Sequence, residues 1–337
     1  MIKQMKKIIN KPENFVNETI EGIVAAFPDF YSVDPGEKRA FYKKNIKDNK
    51  VAIVTGGGSG HLPLFLGYVG DGLADGCAVG NVFASPSAKV MYDVTEAVNR
   101  GAGVLYLFGN YGGDAMNFSM AAEMAEMNEI SVKILRGNDD VASADIEHIE
   151  RRRGIAGIFF AYKIAGAAAD QMKSLDEVYR VTDKAIKNIR SMGIAISSCT
   201  LPEVGRPSFE IADDEMEIGM GIHGEPGIRR CKTMEADAVA EEVLNRILAE
   251  MQLHAHCKVA VLINGLGSTP REELFVVNRR VSQILADKHL DVVETFVGEY
   301  ATSFEMGGVS ISLMKLDEEL EAYLKHPAFS PLLNTWR

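Results

Sequence analysis

Three side chains able to move protons stand in glycine-rich settings: His61 in GGGSGHLP, Asp114 in NYGGD and His223 in GIHGEPG. Glycine suits such places because a residue without Cβ lets the backbone turn tightly and approach a ligand closely. Two imidazoles and one carboxylate on such loops fit proton handling at a small polar substrate. Each also has a plainer alternative. Aspartate before a helix is a favoured cap, which would account for Asp114. A strand-end histidine such as His223 is about as often solvated or satisfied in a core. The first two loops, however, each follow a buried apolar strand, and in an α/β sheet the carboxyl ends of strands are where ligands bind.

Other chemistries find less support. There is no GxSxG serine and no Cys–His pair at a recognised spacing. No GK[ST] follows GGGSG, so the run is not a P-loop. Asp75 lies near the offset of about 20 residues expected of a dinucleotide fingerprint, but it does not end a convincing strand. His254 and His256 form a two-histidine signal that is weak for zinc. Asp139 and Asp140 give no DxDxDG pattern and read as solvated caps before a helix. Glu150–Gly154, ERRRG, is too short for a nucleic-acid patch and reads as a loop touching a neighbouring segment or an anion.

The elements that position these groups can be read in outline. Residues 11–30 have the spacing of an amphipathic helix, and Tyr31–Lys50 reads as a loop with a short helix. Val51, Ile53 and Val54 mark a buried strand that runs into a glycine turn. Further strands are expected at Gly103–Phe108 and Ser131–Leu135, with a helix through Met91–Asn99 capped by Ser85 or Ser87. Ile155–Asp170 is a close-packing small-residue helix, and Leu175–Arg190 is amphipathic after Ser174. A second half opens with Gly193–Cys199. It continues through a helix over Ala236–Ala249 with Thr233 as cap, a strand at Val259–Ile263, and a Gly-rich turn capped by Ser268 or Thr269. A final strand pair is expected near Val292–Val297 and Val309–Leu313. The fold class is α/β, with two α/β domains, each a mostly parallel or mixed sheet flanked by helices. Residues 1–190 carry the first two loops and residues 191–337 the third, the boundary falling near 180–195. Trp336 falls in the tail, so neither core is built on it.

The chain has 337 residues, a net charge of −11 and 47% hydrophobic residues. That charge argues against a general nucleic-acid surface. The opening MIKQMKK has no apolar run after it, and no segment reaches the roughly 18 apolar residues of a membrane span. Four widely spaced cysteines (Cys77, Cys199, Cys231, Cys257) without a CxxC pair read as reduced thiols in a cytoplasmic protein.

Five segments in order, GGGSGH, NYGGD, GIHGEPG, NGLGSTP and EYATSFEMGGVSISL, resemble the substrate-binding subunit of dihydroxyacetone kinases from about residue 10 onward. That resemblance implies a chain that binds a short ketose or aldose while a separate nucleotide-carrying subunit supplies the phosphoryl group. No cofactor is then expected on this chain; ATP, or ADP with Mg, would sit on the partner, and the chain itself would form a homodimer. His223 matches the histidine that adds to the substrate carbonyl as a hemiaminal, which would select ketoses over polyols such as glycerol. His61 matches one that hydrogen-bonds and orients the sugar, and Asp114 the carboxylate that accepts the proton of the phosphorylated hydroxyl. Gly58 matches a position where the family makes a backbone contact to the sugar, and the resemblance implies that Ser59, Leu62 and Gly109 lie beside it. Three positions depart from the family: Leu62 replaces a glutamate, Gly109 a lysine, and Asn81 a common acidic residue. Loss of a lysine at Gly109 is expected to leave space beside the sugar, which makes a four-carbon ketose such as erythrulose a candidate. The rival is a non-catalytic sugar-sensing co-activator of a transcription regulator; retention of Asp114 with both histidines favours catalysis. A free-standing dehydrogenase is the weakest reading.

Overall fold

Alternation with period two sorts the apolar side chains of the central strands onto two faces, and each face is covered by helices. The computed structural model describes residues 6–333, so Trp336 lies outside the described residues. The first sheet has the order β1-β2-β4-β3-β5-β6. Its strands are β1 (Tyr31–Val33), β2 (Ala40–Lys43), β3 (Ala52–Ser59), β4 (Gly76–Val82), β5 (Val104–Gly109) and β6 (Val132–Gly137). β4, β3, β5 and β6 pair in parallel, and β1 and β2 extend the edge antiparallel. Helix α1 is Phe15–Ala26, α2 Ala88–Val98 and α3 Gly112–Met127. Ala52, Val54, Tyr106 and Phe108 face α2 and α3, while Ile53, Leu105 and Leu107 face the opposite way.

The second sheet is mixed and mostly antiparallel, in the order β11-β10-β12-β7-β8-β9. It comprises β7 (Ile189–Ala195), β8 (Glu215–Ile218), β9 (Arg229–Lys232), β10 (Lys258–Gly265), β11 (Asp291–Gly298) and β12 (Gly308–Leu316). One face, with Val259, Val261 and Ile263, packs on α6 (Ala236–Glu250) and α7 (Arg271–Asp287). The other, with Ala260, Leu262 and Met314, meets α4 (Ile158–Asp170), α5 (Leu175–Lys187) and α8 (Glu318–Leu324) in a core shared with the first sheet. Small residues let α4 sit in this shared layer, buried along almost its whole length. The chain returns to the first sheet near its end, where Phe329 bridges Asp71.

Several expectations need correction. The Tyr31–Lys50 segment holds two strands, because Tyr31 and Phe41 are buried and their rings pack 4.7 Å apart. Gly56–Gly58 belong to β3 and not to a turn, and the turn falls at Gly60, with φ +109. The glycines answer crowding: a Cβ on Gly58 would lie 2.7 Å from the Ala84 nitrogen. Of the proposed caps, Ser87 and Ser174 do accept the expected backbone N–H. Thr233, Ser268 and Thr269 do not cap; α6 and α7 start from Glu235 and Pro270. β11 and β12 do not pair with each other, since β10 lies between them.

Candidate active site

β3 and β5 are adjacent parallel strands, and their carboxyl ends deliver His61 and Asp114 to the same edge of the first sheet. His223 arrives from the second sheet, on the loop after β8. The imidazoles of His61 and His223 meet edge to face, with centroids 4.7 Å apart. Tyr111, three residues before Asp114, lies edge-on to His223 at 4.7 Å. Tertiary structure thus gathers the three groups picked out of the sequence.

His61 is buried, and its Nδ1–H donates to the Thr302 carbonyl at 2.8 Å. That bond assigns the proton to Nδ1, so Nε2 is an acceptor; it has no partner among the described residues. Burial, then the neighbouring His223, pushes the His61 pKa down to about 3, which keeps the ring neutral at ordinary pH. The segment between β11 and β12 holds the whole loop: Phe304 N–H donates to the Gly60 carbonyl at 2.9 Å and Thr302 Oγ1 to the Leu62 carbonyl at 2.8 Å. The Leu62 side chain is 40% exposed. Ser59 Oγ donates to the Gly80 carbonyl at 2.8 Å and so ties β3 to β4.

Asp114 is in the first turn of α3 but does not cap it, since Tyr111 is the residue before the helix. The carboxylate is buried, and Oδ1 has no partner among the described residues. Burial raises its pKa to about 6, while the nearby Ser85 hydroxyl and His223 ring pull against the rise. Such a group is still mostly ionised at neutral pH and close enough to it to take a proton.

Sequence reasoning missed two residues here. Glu225, inside the motif that flagged His223, accepts from the His223 ring Nδ1–H at 3.1 Å and from its backbone N–H at 2.9 Å. Burial would raise the Glu225 pKa, but His223, its own loop's backbone N–H and Arg153 together pull it to about 2. An ionised Glu225 accepts from Nδ1–H, so in the neutral ring the lone pair is on Nε2. The spacing of histidine and glutamate two residues apart was the available signal. Phe83, in a left-handed conformation with φ +53, stacks on His61 at 4.8 Å and meets His223 edge-on at 5.2 Å. No local signal marks it.

Gly58 lies against Phe83, and a Cβ there would come within 2.8 Å of the Phe83 Cα. Gly58→Ala is expected to displace this ring, lower stability by about 1–3 kcal/mol and impair ligand capture. Denaturant unfolding measures it; an unchanged midpoint would show that the crowding is relieved at no cost.

The expected space at Gly109 is filled. A Cβ there would lie 3.1 Å from the Tyr111 ring, so tyrosine occupies the volume that a longer residue would enter. Asn81 is exposed at the end of β4. Asp139 and Asp140 are not solvated caps: both are buried, Asp139 accepting from the backbone N–H of Ile155 and Gly157 and Asp140 from Arg153. Within ERRRG, Arg152 is buried in a bidentate pair with Glu250, so the cluster clamps segments of the chain together. His254 and His256 are exposed ahead of β10.

Two sheets that bring two histidines and a carboxylate near one another make an α/β protein with a candidate His–His–Asp site. The chain belongs to the Dak1 domain family, whose model matches residues 21–332. The dihydroxyacetone-binding subunit DhaK of PTS-dependent dihydroxyacetone kinase 2 from Listeria innocua serovar 6a is 44% identical over 328 residues. That match covers 97% of this chain and 98% of the subunit. An L-erythrulose kinase from Pectobacterium atrosepticum is 43% identical over 331 residues, covering 97% of this chain and 56% of the kinase. The solved structure of a dihydroxyacetone kinase operon co-activator, Dha-DhaQ, superposes with a TM-score of 0.87 at 32% identity, covering 92% of this chain and 96% of that one.

Proposed function

We propose that this chain is the sugar-binding subunit of a dihydroxyacetone-type kinase: it captures a short ketose covalently through His223 and presents it for phosphorylation. The observation that carries this reading is a pair of buried acceptors without partners among the described residues, His61 Nε2 and Asp114 Oδ1, beside the His223 ring. Buried polar atoms are nearly always satisfied, so such a pair points to hydroxyl donors on a ligand.

In the capture step the Nε2 lone pair of His223 bonds the carbonyl carbon, and the C=O π pair moves onto oxygen. The Glu225 carboxylate stabilises the positive charge that builds on the ring. Loss of the Nδ1 proton and gain of one by the oxygen complete a net addition of N–H across C=O, and nothing leaves. His61 Nε2 accepts a hydroxyl of the bound sugar and orients it. Asp114 takes the proton of the hydroxyl that attacks the phosphorus, which raises its nucleophilicity as the phosphoryl group arrives. The nucleotide, ATP or ADP with Mg, belongs to a separate subunit, and the phosphoryl group comes from ATP or from a phosphotransferase relay. Assembly as a homodimer and a cytoplasmic location are parts of the same proposal. Among the described residues no helix is long and apolar enough to cross a membrane.

Both dihydroxyacetone and erythrulose are candidate substrates. With Tyr111 in the space beside Gly109, a four-carbon preference no longer has an enlarged pocket behind it; its support is the similarity to erythrulose kinases. Likeness to a co-activator supports the alternative of a sugar sensor. The buried Asp114, kept ionisable at a cost in desolvation, favours catalysis, because sensing needs no base.

Intact-protein mass spectrometry tests the proposal. Incubation with dihydroxyacetone should add one whole ketose mass without loss of water, and glycerol should add nothing. Saturable binding with no mass gain would reject covalent capture.

A further inference from the structure

The His223 loop is fastened to the rest of the molecule through alternating charges. Asp140, buried on the loop after β6, accepts from Arg153 Nε at 2.9 Å, and its Oδ2 lies 2.7 Å from Arg153 Nη2. Arg153 also donates from Nη2 to the Gly219 carbonyl at 3.1 Å, four residues before His223. Its Nη1 is 3.9 Å from Glu225 Oε2. Glu225 then grips His223 at both the ring and the backbone. Packing holds the arrangement in place. A Cβ on Gly221 would lie 2.1 Å from Glu225 Oε2 and 2.5 Å from Arg153 Nη1, so carboxylate and guanidinium both press on bare backbone.

We propose that Arg153 is a positioning residue for covalent capture: anchored by Asp140, it holds the Glu225 carboxylate against the His223 ring, which keeps the proton on Nδ1 and the lone pair on Nε2. The inference rests on the capture reading above and names the groups that prepare its nucleophile. The physical need is specific. Which imidazole nitrogen carries the proton is set by the hydrogen bond that the other atoms of the ring are offered. A freely turning Glu225 would let the proton move to Nε2, and a protonated Nε2 has no lone pair for the carbonyl. Arg153 has the right form for the task, since a planar guanidinium presents several fixed donors and can hold Asp140, a carbonyl and Glu225 at once. The chain of contacts also crosses the molecule: Asp140 follows a strand of the first sheet, and His223 follows one of the second. Docking of the two halves therefore sets the state of the nucleophile.

The test uses the full chain with and without dihydroxyacetone, comparing the wild type with Arg153→Met, Arg153→Lys and Asp140→Asn. Nitrogen-15 NMR of the ligand-free protein should show Nδ1 of His223 protonated in the wild type and a shift toward protonated Nε2 in Arg153→Met. The rate of adduct formation should fall about 10–100-fold, by analogy with the range found for partners that orient a metal-ligating imidazole. Arg153→Lys should restore part of it, because it returns the charge without the fork. Should Arg153→Met fail to fold, Asp140→Asn, which keeps the packing and loosens the anchor, should show the same tautomer change to a smaller extent. A folded variant with an unchanged tautomer and adduct rate overturns the positioning role. Absence of any adduct in the wild type instead overturns the capture reading, and with it the role assigned here, even if the tautomer still responds to Arg153.

Discussion

His223→Ala is expected to abolish the ketose adduct completely and to lower phosphoryl transfer, measured with a competent donor subunit, by on the order of 10³-fold or more. Covalent tethering gives the reacting hydroxyl an effective concentration far above any free sugar, and that advantage disappears with the nucleophile. The fold should survive. His223 is on a loop with its side chain 21% exposed, and the backbone around it is set by Gly224, with φ +81, and by the Gly221–Glu225 hydrogen bond. A melting temperature near that of the wild type, with no mass gain on adding sugar, is the expected pair of results. An alanine variant that still gained one ketose mass would transfer the role to another nucleophile.

Asp114→Asn should separate capture from chemistry. The adduct should form as in the wild type, because Asp114 takes no part in the N–C bond, while transfer drops about 10²–10⁴-fold with the loss of a positioned base. The wild-type rate should also fall in acid. A base with its pKa raised to about 6 is ionised above that value and protonated below it, so the rate declines through pH 6 as pH falls. The same shift makes a statement about stability. A carboxylate whose folded pKa lies above its unfolded value binds protons more tightly when folded, so its ionisation destabilises the fold as pH rises from about 4 to 6. At neutral pH the neutral asparagine should therefore be the more stable, by an amount on the order of 2–3 kcal/mol. An asparagine variant that turns over like the wild type would reduce Asp114 to a structural residue of the α3 first turn.

The strands around the site and the motifs on them are local features, and they were legible. Short apolar runs marked β3, β5 and β10, serine caps marked the starts of α2 and α5, and the glycine-flanked His61, Asp114 and His223 stood out by type and setting. Local rules misled where crowding came from distant residues. Gly56–Gly58 looked like a turn because glycine permits one, but they are strand residues whose missing side chains make room for Ala78, Phe65 and the Phe83–Ala84 backbone. Tyr31 and Phe41 were hidden among charges; they are buried on β1 and β2, where Tyr31 lies opposite Lys43 and Phe41 opposite Val33 and the two rings pack on each other.

Amino-acid order by itself therefore marked the candidate groups and the α/β class of the fold. Tertiary structure decided what each group is able to do. The tautomer of His61 depends on a carbonyl 241 residues away, that of His223 on a carboxylate within reach of Arg153, and the space at Gly109 on the direction of the Tyr111 ring. The physical reason is range. Propensity and periodicity act over a few residues, whereas proton placement and pocket volume follow from contacts that exist only once two sheets have packed against a common layer of helices.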